Sequence, residues 1–230
     1  MGPYNTPMAL GREPLTAGFF AICAPILFPV MLVMAATVVA APDGDLSLSA
    51  SWMTVCVAVA LQFAVLSYWS DMIGAGPLAG AMRTSQEWIL TANVAGPFIL
   101  FVPVMLVSMM MPEQGNWVYR DGVDPEVFER ANWTLSFLFY AVILAPVVEE
   151  VTFRGVAMGA AIARGVNPVI AAILASAAFT LPHMQYTPPA MFAVFVTGLG
   201  LAALRLLSGT VIVPIAAHMS ANTASFLMQL

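Results

Sequence analysis

Only two histidines occur in the 230-residue sequence, His183 and His218, and both fall in stretches that are otherwise almost wholly apolar. A few other polar residues share that setting. Glu149, Glu150 and Arg154 lie in one apolar run, and Asn222 follows His218 by four residues. Ionisable groups in hydrocarbon are costly unless paired or hydrated, so these residues are the first candidates for chemistry. On a helix, Glu150 and Arg154 share a face and can form an ion pair. Glu149 is turned about 100° away and has no cation on its own face. His218 and Asn222 again project together. A free carboxylate such as Glu149 can act as general base on a water that His183 helps to hold. His218 and Asn222 offer hydrogen-bond donors to the oxyanion formed when that water attacks a carbonyl. Such a set is complete for hydrolysis with no metal, cofactor or covalent nucleophile.

Each residue taken singly also has a structural reading. Asn222 could tie helices together, the Glu150–Arg154 pair could be purely architectural, and Phe179, one turn before His183, reads as packing. Glu149 is the hardest to explain as glue. Other hydrolytic chemistries lack their signatures. There is no His-Glu-x-x-His helix, no Gly-x-Ser-x-Gly elbow, and no pair of aspartates within apolar runs. Ser208 before Gly209 reads as a turn.

The elements that must position these residues are membrane helices. The chain is 61% hydrophobic and 8% charged, with a mean hydropathy of +0.91. A soluble domain has about 25% charged residues. Lipid is the solvent that such a composition fits. Seven arginines, no lysine and twelve acids give a net charge of −5, which excludes a basic nucleic-acid footprint. Cys23 and Cys56 sit in apolar runs and form neither a disulfide framework nor a metal cluster.

A hydrocarbon core takes about 20 helical residues to cross. Runs of that kind cover residues 15–41, 48–69, 94–111, 133–164, 168–183, 190–207 and 210–230. The fold class expected is all-α, a polytopic bundle of about seven transmembrane helices. The first run is too long for a removable signal peptide. Residues 71–93 read as an interfacial loop or amphipathic helix, and residues 112–132, with five acids and two arginines, as the most polar piece. The run 133–164 exceeds a bilayer thickness as one helix, with a kink expected at Pro146. Gly165 and Pro168 mark a turn, with glycine closing one helix and proline opening the next. Glu149 and His183 both lie seventeen residues from Val166, so an antiparallel hairpin would set them at one depth.

The motifs carry a resemblance. Glu149-Glu150-Val-Thr-Phe-Arg154 resembles the Glu-Glu-x-x-x-Arg motif of the CPBP family, which comprises CAAX prenyl proteases and Abi-type membrane proteins. Phe179-Thr-Leu-Pro-His183 is similar to its Phe-x-x-x-His motif, and His218-Met-Ser-Ala-Asn222 to its His-x-x-x-Asn/Asp motif. All three occur in the family's order within residues 133–230, a CPBP-like catalytic core. Residues 1–132, with the N-terminal helices and polar loop, match no recognised family. The resemblance implies a glutamic intramembrane endopeptidase with Glu149 as base and His183 as co-holder of the water. It implies His218 and Asn222 as oxyanion donors, with Glu150 and Arg154 in support. Pro182 is unusual inside a helix and makes the geometry around His183 unusual.

The family includes prenyl-protein proteases, peptide-processing and immunity proteins, and myxosortase-like enzymes that cut C-terminal anchors. With the N-terminus inside, Arg12, Arg83, Arg164 and Arg205 face the cytoplasm, and Arg120 and Arg130 lie outside. His183 then sits near the outer leaflet of what reads as a bacterial cytoplasmic membrane. That favours a membrane-anchored or exported protein or peptide as substrate, with the bilayer as the other partner and no nucleic acid. Three rival readings remain open. They are a non-enzymatic scaffold or immunity protein, a transporter or proton relay, and a protease carrying a metal on Glu149, His183 and His218.

Overall fold

The computed structural model of the chain describes residues 84–111, 118, 138–163 and 165–228, and every element in them is helical. The expected spans at 15–41 and 48–69 lie outside the described residues, as does most of the polar piece 112–132.

Helix α1 runs from Gln86 to Met110. It begins earlier than the apolar run at 94, because Ser85 caps it by accepting from the Trp88 N–H and no breaker intervenes before Val94. At about 1.5 Å per residue, its 25 residues exceed the hydrocarbon thickness. Leu90, Val94, Phe98, Val102, Met105, Leu106, Met109 and Met110 are all exposed along it, an outer surface suited to lipid.

The helix expected around Pro146 is continuous but changes pitch. It comprises a π-helical turn at Tyr140–Leu144, α2 at Ala145–Glu150, a second π-helical stretch at Val151–Ala157 and α3 at Met158–Ala163. Beyond the turn at Gly165 (φ 84°), Asn167 caps α4, Pro168–Thr180, by accepting from the Val169 N–H at 2.9 Å. At Pro182 the chain tightens into a 3₁₀ turn, Leu181–His183, so His183 stands on that turn and not within an α-helix. Thr187 caps α5, Pro188–Ser208, which reverses at Gly209 (φ 72°) into α6, Ile212–Leu227. Helices α1 and α5 are long and apolar enough to cross a bilayer, as an integral membrane protein requires. With 16 residues, α6 is shorter than a full crossing.

Close approach organises the packing. A Cβ at Gly96 of α1 would collide with the Ala217 carbonyl of α6, so the two backbones touch there. Small residues do the same between α4 and α5, where Ala171, Ala172, Ala175 and Ala202 are buried with Met158. Val151 and Val156 meet Val211 and Ile215, and Ala92, Leu201, Leu204, Val213 and Ala217 form the layer joining α1, α5 and α6.

Pro97, Pro103 and Pro146 each fall along a continuous helix and release a backbone carbonyl. In an α-helix, Pro97 leaves Asn93 without its N–H partner and Pro103 leaves Ile99 without one. Near Pro146 the register is π, since the Ala145 N–H bonds the Tyr140 carbonyl five residues back. The next carbonyl, that of Ala141, would take its bond from Pro146, which has no N–H. All three carbonyls accept a hydrogen bond from another helix. Ser220 Oγ donates to Asn93 at 2.7 Å, Thr197 Oγ1 to Ile99 at 3.2 Å and Asn222 Nδ2 to Ala141 at 2.8 Å. In lipid, which offers no water to a freed carbonyl, neighbouring side chains are the available donors.

Candidate active site

The Glu149–Glu150 pair sits where α2 gives way to the second π-helical stretch. Glu150 and Arg154 are both fully buried, and Arg154 Nη1 donates to Glu150 Oε1 at 2.9 Å, the pairing expected from their spacing. Arg154 is held from two further sides. Its Nη2 donates to the Gly198 carbonyl of α5 at 2.9 Å, and its guanidinium carbon lies 4.5 Å over the Phe179 ring. Gly198 is small for a reason: a Cβ there would stand 3.2 Å from Arg154 Nη2 and 3.1 Å from Ser176 Cβ. The buried cation therefore fastens three helices together around one carboxylate.

Glu150 does more than pair with Arg154. Its Oε1 also receives His218 Nδ1 at 3.0 Å, from a residue 68 positions later. A carboxylate only accepts, so Nδ1 carries a proton and Nε2 is left facing outward. On that side Glu149 Oε2 lies 3.8 Å from Nε2. Glu149 is also the more open of the two acids, its side chain 23% exposed against 0% for Glu150. Adjacent glutamates thus address opposite nitrogens of one imidazole.

His183 is oriented by its own helix. Its Nδ1 lies 3.0 Å from the Phe179 carbonyl, which again can only accept, so Nδ1 carries a proton and Nε2 is the nitrogen left for other partners. The ring packs 5.0 Å from Phe179 and stacks on Tyr186 at 6.0 Å. Phe179 in turn meets the His218 ring edge-on at 5.9 Å and Phe153 at 5.6 Å. One buried phenyl thus stands against both histidines and Arg154. Among the described residues, no hydrogen bond or ion pair joins Glu149 directly to His183.

The remaining expected residue, Asn222, is half-buried on the His218 helix, but one of its amide N–H groups is spent on the Ala141 carbonyl. Among the described residues, no group of three His, Cys, Asp or Glu side chains could hold a metal ion, so Glu149, His183 and His218 do not converge as a ligand set.

Sequence reasoning missed three participants. The Gly198 carbonyl and the Ser220 and Thr197 hydroxyls carried no motif, though the last two could have been sought by asking which donors serve the carbonyls that Pro97 and Pro103 free. Phe179 was legible as packing, and its position between the two histidines was not.

Residues 131–224, which contain every motif residue above, match the family model described as type II CAAX prenyl endopeptidase Rce1-like. The match spans 94 of the 230 residues, so the similarity to the CAAX protease family is one of the C-terminal part. No curated protein and no solved structure matches the chain. The matched stretch holds the paired glutamates and both histidines.

Proposed function

We propose that this chain is a multi-pass intramembrane endopeptidase that cleaves a membrane-associated protein or peptide with a water activated by Glu149. The observation that carries the reading is the division between the two acids. Glu150 is enclosed and bonded to Arg154 and His218, whereas Glu149 is partly open beside His218 Nε2. Of the two, only Glu149 is open enough to meet a water.

In the proposed step Glu149 removes a proton from water as its oxygen attacks the scissile carbonyl carbon. His183 Nε2 accepts the second hydrogen bond of that water and fixes its direction. The developing oxyanion is met by the unused N–H of the Asn222 amide and by His218 Nε2, which donates when the ring carries both protons. The proton on Glu149 then passes to the leaving amine as the C–N bond breaks, restoring the carboxylate. Glu150 and Arg154 hold His218 in place, and no metal is required.

Helices α1 and α5, with the apolar runs at 15–41 and 48–69, fit a multi-pass chain, about seven spans in all, in a bacterial cytoplasmic membrane, and the arginine distribution supports an orientation with His183 toward the outer leaflet. Such an opening favours anchored or exported substrates over cytosolic prenylated ones. Purified protein in detergent should cleave reporter substrates of both kinds, and cleavage should persist with a strong chelator. Loss of activity on chelation would favour the metal-bearing alternative, and Glu149→Gln turning over at the wild-type rate would remove the base assignment.

A further inference from the structure

Ser220 has no place in the proposed chemistry, yet it is tied to a backbone carbonyl across a helix interface. It lies two residues after His218 and two before Asn222, on α6. Ser220 donates to Asn93 on α1, the carbonyl that Pro97 releases. Asn222 donates to Ala141, the carbonyl that Pro146 releases on the helix bearing the two glutamates. The stretch of α6 just after His218 is therefore fastened to two different helices, at points defined by two prolines.

We infer that these two proline-released carbonyls set the axial and rotational position of His218 against Glu149 and Glu150, and that Ser220 is a positioning residue of the site. The inference takes from the proposed function only that His218 belongs to the site.

The physical reasoning runs through what each bond opposes. Apolar packing between α1 and α6, with Gly96 against Ala217 at one close approach and Trp88, Ala92 and Val213 beside it, is non-directional and by itself tolerates small slides along the axis. A directional bond at 2.7 Å onto a fixed carbonyl does not. His218 Nδ1 must meet Glu150 Oε1 at 3.0 Å while Nε2 faces Glu149 at 3.8 Å. A slide of α6 by even a fraction of a helical turn breaks one of these relations. Proline is what makes the clamp possible. A carbonyl already bonded within its own helix has less need of an outside donor, whereas a released one in lipid requires it.

The test is a double-substitution cycle on the full chain in detergent. Ser220→Ala should lower kcat by roughly three- to tenfold with KM little changed, the range that single interhelical hydrogen bonds in membranes span. Pro97→Ala restores an N–H to Asn93, so adding Ser220→Ala in that background should cost almost nothing further. Ser220→Thr keeps the hydroxyl and should retain activity. Equal losses in both backgrounds, or wild-type kcat for Ser220→Ala, would overturn the clamp. A second readout is independent of turnover. With only two histidines in the chain, the imidazole nitrogen signals of ¹⁵N-labelled protein are assignable by one substitution. Ser220→Ala should move the His218 signals and leave those of His183 in place. A chain that cleaves nothing but shows this selective shift would defeat the protease reading and leave the clamp standing. Unmoved His218 signals would defeat the clamp whatever the activity.

Discussion

His218 stands between two consecutive carboxylates, with Nδ1 3.0 Å from Glu150 and Nε2 3.8 Å from Glu149. Successive residues on a regular helix point about 100° apart and do not ordinarily converge on one ring. Here they do so at the junction of α2 with a π-helical stretch, a departure from regular pitch that recurs at functional sites. The consequence is an asymmetry: one carboxylate fixes the imidazole and the other stays partly exposed beside it.

The chemistry is tested first at Glu149 and His183. Glu149→Gln should lower kcat by about 10²- to 10⁴-fold, the usual contribution of a general base, and should leave the thermal transition close to wild type. His183→Ala should behave alike, because its ring is only partly buried and its Nδ1 bond is local to its own turn. Turnover measured beside thermal melting in detergent checks both halves. A variant that melts early and loses activity in proportion would make the residue structural.

Glu150 should show the opposite profile. Its side chain is fully buried and satisfies both Arg154 and His218, so Glu150→Ala leaves a buried cation without its partner. Removing one member of a buried ion pair costs about 3–5 kcal/mol. The expected result is a melting temperature well below that of Glu149→Ala, measured under identical detergent conditions. If Glu149→Ala proves the less stable of the two, the structural and reactive acids have been exchanged.

Much of this was legible before any coordinates, for reasons tied to particular residues. The Glu150–Arg154 bridge follows from a four-residue spacing, and the turn after α3 from Gly165 and Pro168, because both depend only on local geometry. Contacts that depend on two distant helices were not legible. Nothing in the spacing joins Glu150 to His218, 68 residues on, or Arg154 to the Gly198 carbonyl. The change of pitch around Pro146 was expected as a simple kink, and the donor that meets the freed Ala141 carbonyl, Asn222, comes from another helix. His183 falls on a 3₁₀ turn where the sequence showed only the awkward proline beside it.

Gly198 offers a test of the Arg154 anchor that touches neither acid. A methyl group at this position would meet Arg154 Nη2 at 3.2 Å, Ser176 Cβ at 3.1 Å and the Phe179 ring at 3.4 Å. These neighbours are themselves buried and cannot all give way. Gly198→Ala should therefore destabilise the protein by about 1–3 kcal/mol, as overpacking does. Since Arg154 and Phe179 both bear on the histidines, kcat should fall as well. Wild-type melting for this variant would show that α5 moves aside freely and that the anchor is loose.

Asn222 has one observed task and one proposed task, and Pro146 makes it possible to separate them. One amide N–H holds the Ala141 carbonyl at 2.8 Å, and the other is available to an oxyanion. Pro146→Ala returns an N–H to the composite helix, so the capping task becomes dispensable, while the donor task does not. Asn222→Ala alone should lower both thermal stability and kcat. In the Pro146→Ala background the same substitution should leave stability nearly unchanged and still lower kcat by about 10²- to 10³-fold, the loss typical of one oxyanion donor. The four proteins of this cycle need only a melting curve and a turnover rate each. If restoring the N–H also restores kcat, Asn222 acts through position alone, and His218 is left as the sole proposed donor to the oxyanion.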